Sequence, residues 1–439
     1  MTSNIVRVFK LSSIYMVGNL LNRLGAFLLL PLYTNYLSIS EYGVLEILYA
    51  TNALASMVFG AGLSHSTLRF YFEYDDQKDR NQVVTTNFLM AAFFTFAGAI
   101  LVVALSPQIS SILMGKHNYS HLIELAIIII VFEVTIEVCL AYLRAREQAI
   151  FFVVLSLLKL SIQVGACVYF VAVMSKGVQG VLWGNVSSVF FIWVIVSIYI
   201  FRNCGMRFNF RYIKPILLYS LPFVVSGIVA VLMVNVTLYL IRINSSLAEV
   251  GIYGLAMKFA MILRFVVNEP FQRSYGSFRF SVIKQLNAKE IQSQIVHYYV
   301  IGASIVALGI GLFTTDVLHF MAAKDFWDAA LVAPIILLAF LLNGIRYCFE
   351  TGILYKKKTR YILMMGMISL VVSVAGNILL IPMWGVYGAA FTLMLVNTLL
   401  VLMTYLISQR LYSVPYDYFG VLKVCLTLTG VFIFSDIIK

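Results

Sequence analysis

Five basic residues sit inside long apolar stretches of this 439-residue chain: Arg23, Lys159, Lys258, Arg264 and Arg346. Glu133, Glu137 and Glu350 lie in similar surroundings. A full charge amid hydrocarbon is costly, so such residues face protein or a water-filled cavity rather than lipid. Cations lining an interior path can replace the hydration that an anion loses on leaving water. Carboxylates in the same setting either pair with those cations or take up a small cation. The chemistry expected of these residues is therefore the binding and passage of a charged group.

Their spacing sharpens the roles. Arg23 lies in Asn19–Gly43, NLLNRLGAFLLLPLYTNYLSISEYG, about 12 residues into an apolar run, or roughly 18 Å at 1.5 Å per residue. That is too deep to snorkel easily, and no acidic residue lies within two turns of it. Lys258 reads as a lumen cation or as a lysine snorkelling to the outer surface. Arg264, nearer the other end of its run, reads as a lumen cation or a topology anchor. Glu133 and Glu137 are i,i+4 on one helix face, and their depth matches that of Lys159 on the next run. A buried Lys159–Glu133 or Lys159–Glu137 pair is one reading; a coupling site for H+ or Na+ is the other. Arg346 and Glu350, also i,i+4, read first as an intrahelical pair and second as a gate. Pro31 and Pro222 each free a carbonyl inside a span and are candidate hinges.

The elements that must carry these residues are membrane helices. Hydrophobic residues make up 62% of the chain and charged residues 11%, more apolar surface than a water-soluble fold can hide. Apolar runs of about 20 residues recur along the whole length, each enough for a helix to cross a bilayer core. Expected spans are 11–35, 42–63, 84–105, 121–142, 150–174, 179–201, 215–241, 249–268, 293–314, 330–352, 361–381 and 385–407. A weaker thirteenth run, 419–438, follows. The first run is too long for a signal peptide and is expected to stay in place. The segment 273–294 alternates basic, aromatic and polar residues and is expected to lie as an amphipathic surface helix.

Net charge is +12, but the basic residues are scattered between apolar runs as topology signals, which argues against a nucleic-acid partner. With the N-terminus in the cytoplasm, the inner loops collect Lys and Arg, including Lys356, Lys357, Lys358 and Arg360. The outer loops hold only Lys116, Lys176, Arg242 and Lys324. The five cysteines make no CxxC pair, and the histidines make no metal site, so no metal or cofactor is expected.

The chain also repeats itself at an offset of 208 residues. Ser40-Glu41-Tyr42-Gly43 meets Ala248-Glu249-Val250-Gly251, and Phe70-Tyr71-Phe72 meets Phe278-Arg279-Phe280. Gly177-Val-Gln-Gly180 meets Gly385-Val-Tyr-Gly388. Six spans per copy gives a parallel repeat, a build in which transporters place substrate between the halves. The expected organisation is an all-α integral membrane protein. An N-lobe spans 1–203, a basic cytoplasmic linker 204–214, a C-lobe 215–410, and a C-terminal segment 411–439.

Several stretches carry a family resemblance. NRLGAFLLLPLYTNYLSISEYG, GLSHSTLRFYFEYDD, EVGIYGLAMKFAMILRF, PFQRSYGSFRF and NILLIPMWGVYGAA follow one another in order. Together they resemble the polysaccharide-transport branch of the multidrug/oligosaccharidyl-lipid/polysaccharide exporter superfamily, whose best-known members are Wzx-type O-antigen flippases. The resemblance implies a flippase of the bacterial inner membrane. It would move undecaprenyl-diphosphate-linked oligosaccharide from the cytoplasmic to the outer leaflet by alternating access. Implied partners are that polyprenyl-diphosphate-linked glycan, membrane lipids and other polysaccharide assembly proteins. Two other functions stand beside it. A cation-coupled drug exporter of the same superfamily should line its path with carboxylates. A membrane-embedded polysaccharide polymerase or ligase should carry acid/base groups on sizeable outer loops, and those loops are short here.

Overall fold

The computed structural model describes Gly18, Gly25 and residues 27–416, apart from 116, 283, 284 and 359. Arg23, the start of the first expected span and the whole of the run 419–438 lie outside the described residues. Within them the chain is helical, with no strand. Nine helices among the described residues are long and apolar enough to cross a membrane, and one of these holds two expected spans. The protein is a multi-pass, all-helical membrane protein.

The chain divides into two compact units, Met1–Asn235 and Val236–Lys439. In the first, α1 (Leu30–Tyr36) leads into α2 (Ile39–Gly60). Ser38 caps α2: its hydroxyl accepts from the Glu41 N–H, and the Glu41 carboxylate returns to the Ser38 N–H at 2.9 Å. Ala61 and Gly62, both at positive φ, stop α2 and turn the chain into α3 (Leu63–Tyr71). There follow α4 (Gln77–Ala104), α5 (Ser106–Met114), α6 (Ser120–Ala145), α7 (Ala149–Cys167) and α8 (Gly177–Cys204). A π-helical turn over Val168–Val173 extends α7. Core packing runs α4 on α6, α6 on α8 and α7 on α8. The basic segment 204–214 also packs on this unit, since Thr85 Oγ1 donates to the Gly205 carbonyl at 2.9 Å. The division between units falls further on, inside α9 (Ile213–Asn244), which contains Pro222.

The second unit continues with α10 (Leu247–Leu263), a π-helical turn Arg264–Asn268, and α11 (Glu269–Val282). Then come α12 (Ala288–Met321), α13 (Ala329–Phe349), α14 (Thr351–Tyr355) and α15 (Arg360–Leu411). Here α13 is the hub, packed on α10, α12 and α15. The expected surface helix over 273–294 is not a separate element. Residues to Val282 prolong α10 through the π turn, and a new helix, α12, starts at Ala288, so the segment is shared between two long helices. The spans 361–381 and 385–407 meet without a loop. One 52-residue helical run breaks only at Gly385, at φ 54° and ψ −133°.

The 208-residue repeat has a physical basis in both units. Ser246 caps α10 by accepting from the Glu249 N–H, as Ser38 does for Glu41. Gly177 and Gly385 both take positive φ, 53° and 54°, a conformation that glycine adopts without the Cβ penalty. Each lies against the paired glutamate: a Cβ at Gly177 would be 3.2 Å from Glu41 Oε1, and one at Gly385 2.5 Å from Glu249 Oε1. Three residues on, Gly180 and Gly388 each approach a backbone carbonyl of the preceding arm, that of Phe170 and that of Leu380.

Candidate functional site

The first unit gathers charge on one helix face. Seven residues turn a helix through nearly two whole revolutions, so Glu133, Glu137 and Arg144 lie along a single stripe of α6. Lys159, on α7, reaches that stripe and places Nζ 2.8 Å from Glu133 Oε1. Glu137 has Arg144, Glu133 and Lys159 within electrostatic reach. The Lys159 side chain is 25% exposed and that of Glu133 42%, so the pair is only partly enclosed. Two carboxylates and two cations form a locally neutral set, which lowers the cost of holding each charge there.

One turn along α7 the polarity continues. Gln163 Nε2 donates to Asn185 Oδ1 at 2.7 Å, and Asn185 Nδ2 donates to the Tyr49 hydroxyl at 3.3 Å. Tyr49 in turn shares a hydrogen bond with Tyr33, whose hydroxyl lies 3.7 Å from Cys167 Sγ. On α2, Glu46 is buried at 8% exposure and hydrogen bonded to the wholly buried Tyr42. None of Tyr49, Glu46, Gln163 or Asn185 figures among the residues expected from sequence. The signal was present for two of them: Glu46 is a carboxylate in mid-run, and Gln163 is i+4 to Lys159. Asn185 and Tyr49 gain meaning only from their neighbours.

In the second unit, Lys258 is half-buried in the middle of α10. Arg264, in the π turn, lies 3.4 Å from Glu269 Oε1 through its Nε. Arg346 and Glu350 pair at 2.8 Å, with side chains only 15% and 7% exposed. Pro31 falls in the first turn of α1, where its missing N–H costs nothing, whereas Pro222 is interior to α9. Expected cations and carboxylates thus come together as two separate sets, Lys159 with Glu133 and Glu137 in one unit and Arg346 with Glu350 in the other.

The pairing in the first unit can be measured. Lys159→Ala and Glu133→Gln are each expected to lower the unfolding midpoint of the detergent-solubilised protein. The double variant should recover part of the sum, with a coupling of roughly 0.5–3 kcal/mol for groups in direct contact. Additive losses would mean the contact contributes nothing.

Known proteins resemble the chain along most of its length. Over 415 residues it is 22% identical to "Lsg locus putative protein 1" of Haemophilus influenzae, covering 88% of this chain and 96% of that protein. In fold it is similar to the lipid II flippase MurJ in an inward closed conformation. That match has a TM-score of 0.72 at 13% identity and covers 98% of this chain and 92% of the other. It is also similar to an inward-facing multidrug resistance MATE family transporter of the MOP superfamily. Here the TM-score is 0.69 at 14% identity, covering 90% and 97% of the two chains. Residues 8–277 match the family described as polysaccharide biosynthesis protein. With well over half its length in that match, the chain belongs to the polysaccharide biosynthesis protein family.

Proposed function

We propose that this protein is a flippase for lipid-linked oligosaccharide. Its cargo is an O-antigen or other polysaccharide repeat unit on undecaprenyl diphosphate, moved from the cytoplasmic to the outer leaflet of a bacterial inner membrane. The observation that carries this is the joint match: a polysaccharide biosynthesis family over residues 8–277, and the fold of a lipid II flippase over nearly the whole chain. A diphosphate cannot cross hydrocarbon bare, so the path needs fixed cations. Arg23, Lys258, Lys159 and Arg264 are the residues proposed to meet it. Glu133 and Glu137 beside Lys159 supply groups that can exchange H+ or Na+ during alternating access, with Pro31 and Pro222 at the bends. The Lys and Arg distribution supports an N-terminus in the cytoplasm.

A strain lacking the gene is expected to lose surface glycan and to accumulate lipid-linked glycan in the cytoplasmic leaflet. The wild-type gene should restore display, and Arg23→Ala at normal protein level should not. Normal glycan display in the deletion strain would overturn the assignment. A second function is favoured by the MATE-like fold together with the carboxylates Glu46, Glu133 and Glu137: export of small cations. Energy-dependent efflux of a cationic dye, with glycan display unaffected by the deletion, would select it.

A further inference from the structure

The second unit contains a buried guanidinium that bonds no acceptor among the described residues. Arg279, on α11, is 9% exposed. It makes no hydrogen bond or ion pair with any described residue, and its Nε is wholly buried and unpartnered. Its neighbours are ring faces, Tyr275 at 5.8 Å and Phe280 at 5.3 Å. Cation–π contact of this kind offsets only part of the hydration an arginine gives up on burial. The nearby carboxylate is already engaged: Glu350 pairs with Arg346, while Arg279 acts on it electrostatically without reaching it. Arg346 also leaves its Nε buried and unpartnered. Among the described residues, two guanidiniums thus share one carboxylate.

Among the described residues no carboxylate bonds Arg279. Tyr275 bonds the Thr351 hydroxyl at 3.2 Å, Cys348 is a buried thiol, and Tyr412 lies within electrostatic reach of Tyr275. Beyond them stands a basic rim. Lys289 places Nζ 5.3 Å over the Tyr412 ring, and Lys356 places Nζ 5.6 Å over the Tyr355 ring. The two rings meet edge to face at 5.4 Å, so both exposed lysines border the same end of the unit as the arginine pair. At that end Gln292, one turn beyond Lys289 and wholly buried, also leaves both amide atoms unpartnered. Exposed lysines at this end raise the local concentration of anions, and the planar fork of arginine matches an oxyanion.

We propose that Arg279 and Arg346, with Glu350 between them in charge balance, form a seat for one phosphate group. The group belongs either to an anionic bilayer lipid or to the diphosphate of a lipid-linked cargo. In the second case the proposal rests on the flippase assignment above, and the seat would be where that diphosphate is first recognised.

The test uses the full-length protein in neutral maltoside detergent, titrated with inorganic pyrophosphate against sodium chloride of equal ionic strength. Pyrophosphate is expected to raise the unfolding midpoint saturably. Arg279→Gln should weaken its affinity at least tenfold, yet leave the midpoint without pyrophosphate unchanged or higher, because it removes an unpaired buried charge. Arg279→Lys keeps the charge but loses the fork, should fall between the two, and serves if the glutamine variant does not fold. Competition by phosphatidylglycerol in phosphatidylcholine nanodiscs would mark a bilayer lipid as the source. Competition by undecaprenyl diphosphate alone would mark the cargo. A midpoint that pyrophosphate does not move, or moves equally in the Arg279 variants, would remove the seat. If glycan still crosses in the strain assay while pyrophosphate does not bind, the seat falls and the transport function stands; binding without glycan transport gives the reverse.

Discussion

Arg346→Ala is expected to destabilise the protein by about 3–5 kcal/mol, the cost typical of stripping a buried ion pair of one partner. Glu350 would be left with a side chain only 7% exposed and without the one cation it bonds among the described residues. Arg279 would remain in electrostatic reach but without contact. The predicted signs are a large fall in unfolding midpoint in detergent and a low protein level in membranes. The double variant Arg346→Met, Glu350→Leu should recover most of that loss, since apolar residues of similar volume replace buried pairs at little cost. A single variant as stable as wild type would mean that the pair is already hydrated.

Gly388→Val is the second change with a large expected effect. A Cβ there would fall well inside van der Waals contact with the Leu380 carbonyl oxygen and 2.5 Å from the carbonyl carbon. The obstacle is backbone, which no rotamer change can move aside. Overpacking of this kind costs roughly 1–3 kcal/mol and sometimes more, and here it would also spread the two arms of α15 that turn at Gly385. Gly366→Ala, in the same helical run, is the control. A Cβ at Gly366 has nothing within 4 Å, so the exchange should be neutral or stabilise by about 0.5–1 kcal/mol. Equal unfolding midpoints for Gly388→Val and wild type would show that the arms do not pack as closely as described.

The two expectations differ in how visible they were beforehand. Gly385 and Gly388 stand out in the sequence because they repeat Gly177 and Gly180 at a fixed offset, and the turn they build is a local property of the backbone. Arg346 and Glu350 were also legible, being i,i+4 on one helix. Arg279 was not. It sits in a stretch whose alternation of basic and aromatic residues suggested a surface helix. Its burial follows from α11 continuing α10 through the π turn, so that the same residues face the interior of the unit. Asn185 and Tyr49 were equally hidden, because an amide or phenol in an apolar run says nothing until its partner on another helix is known.

By itself the sequence determined that this is a helical membrane protein, roughly where its helices run, and that its two parts share caps and turns. Those properties depend on residues near one another in the chain: an apolar run long enough for the bilayer, a serine three residues before a glutamate, a glycine where φ must be positive. Only the tertiary structure decided that Lys159 takes Glu133 rather than Glu137, and that Arg279 is enclosed with no carboxylate bonded to it among the described residues. Pairings of that kind depend on how far each helix is rotated about its axis, and packing between distant segments sets that rotation.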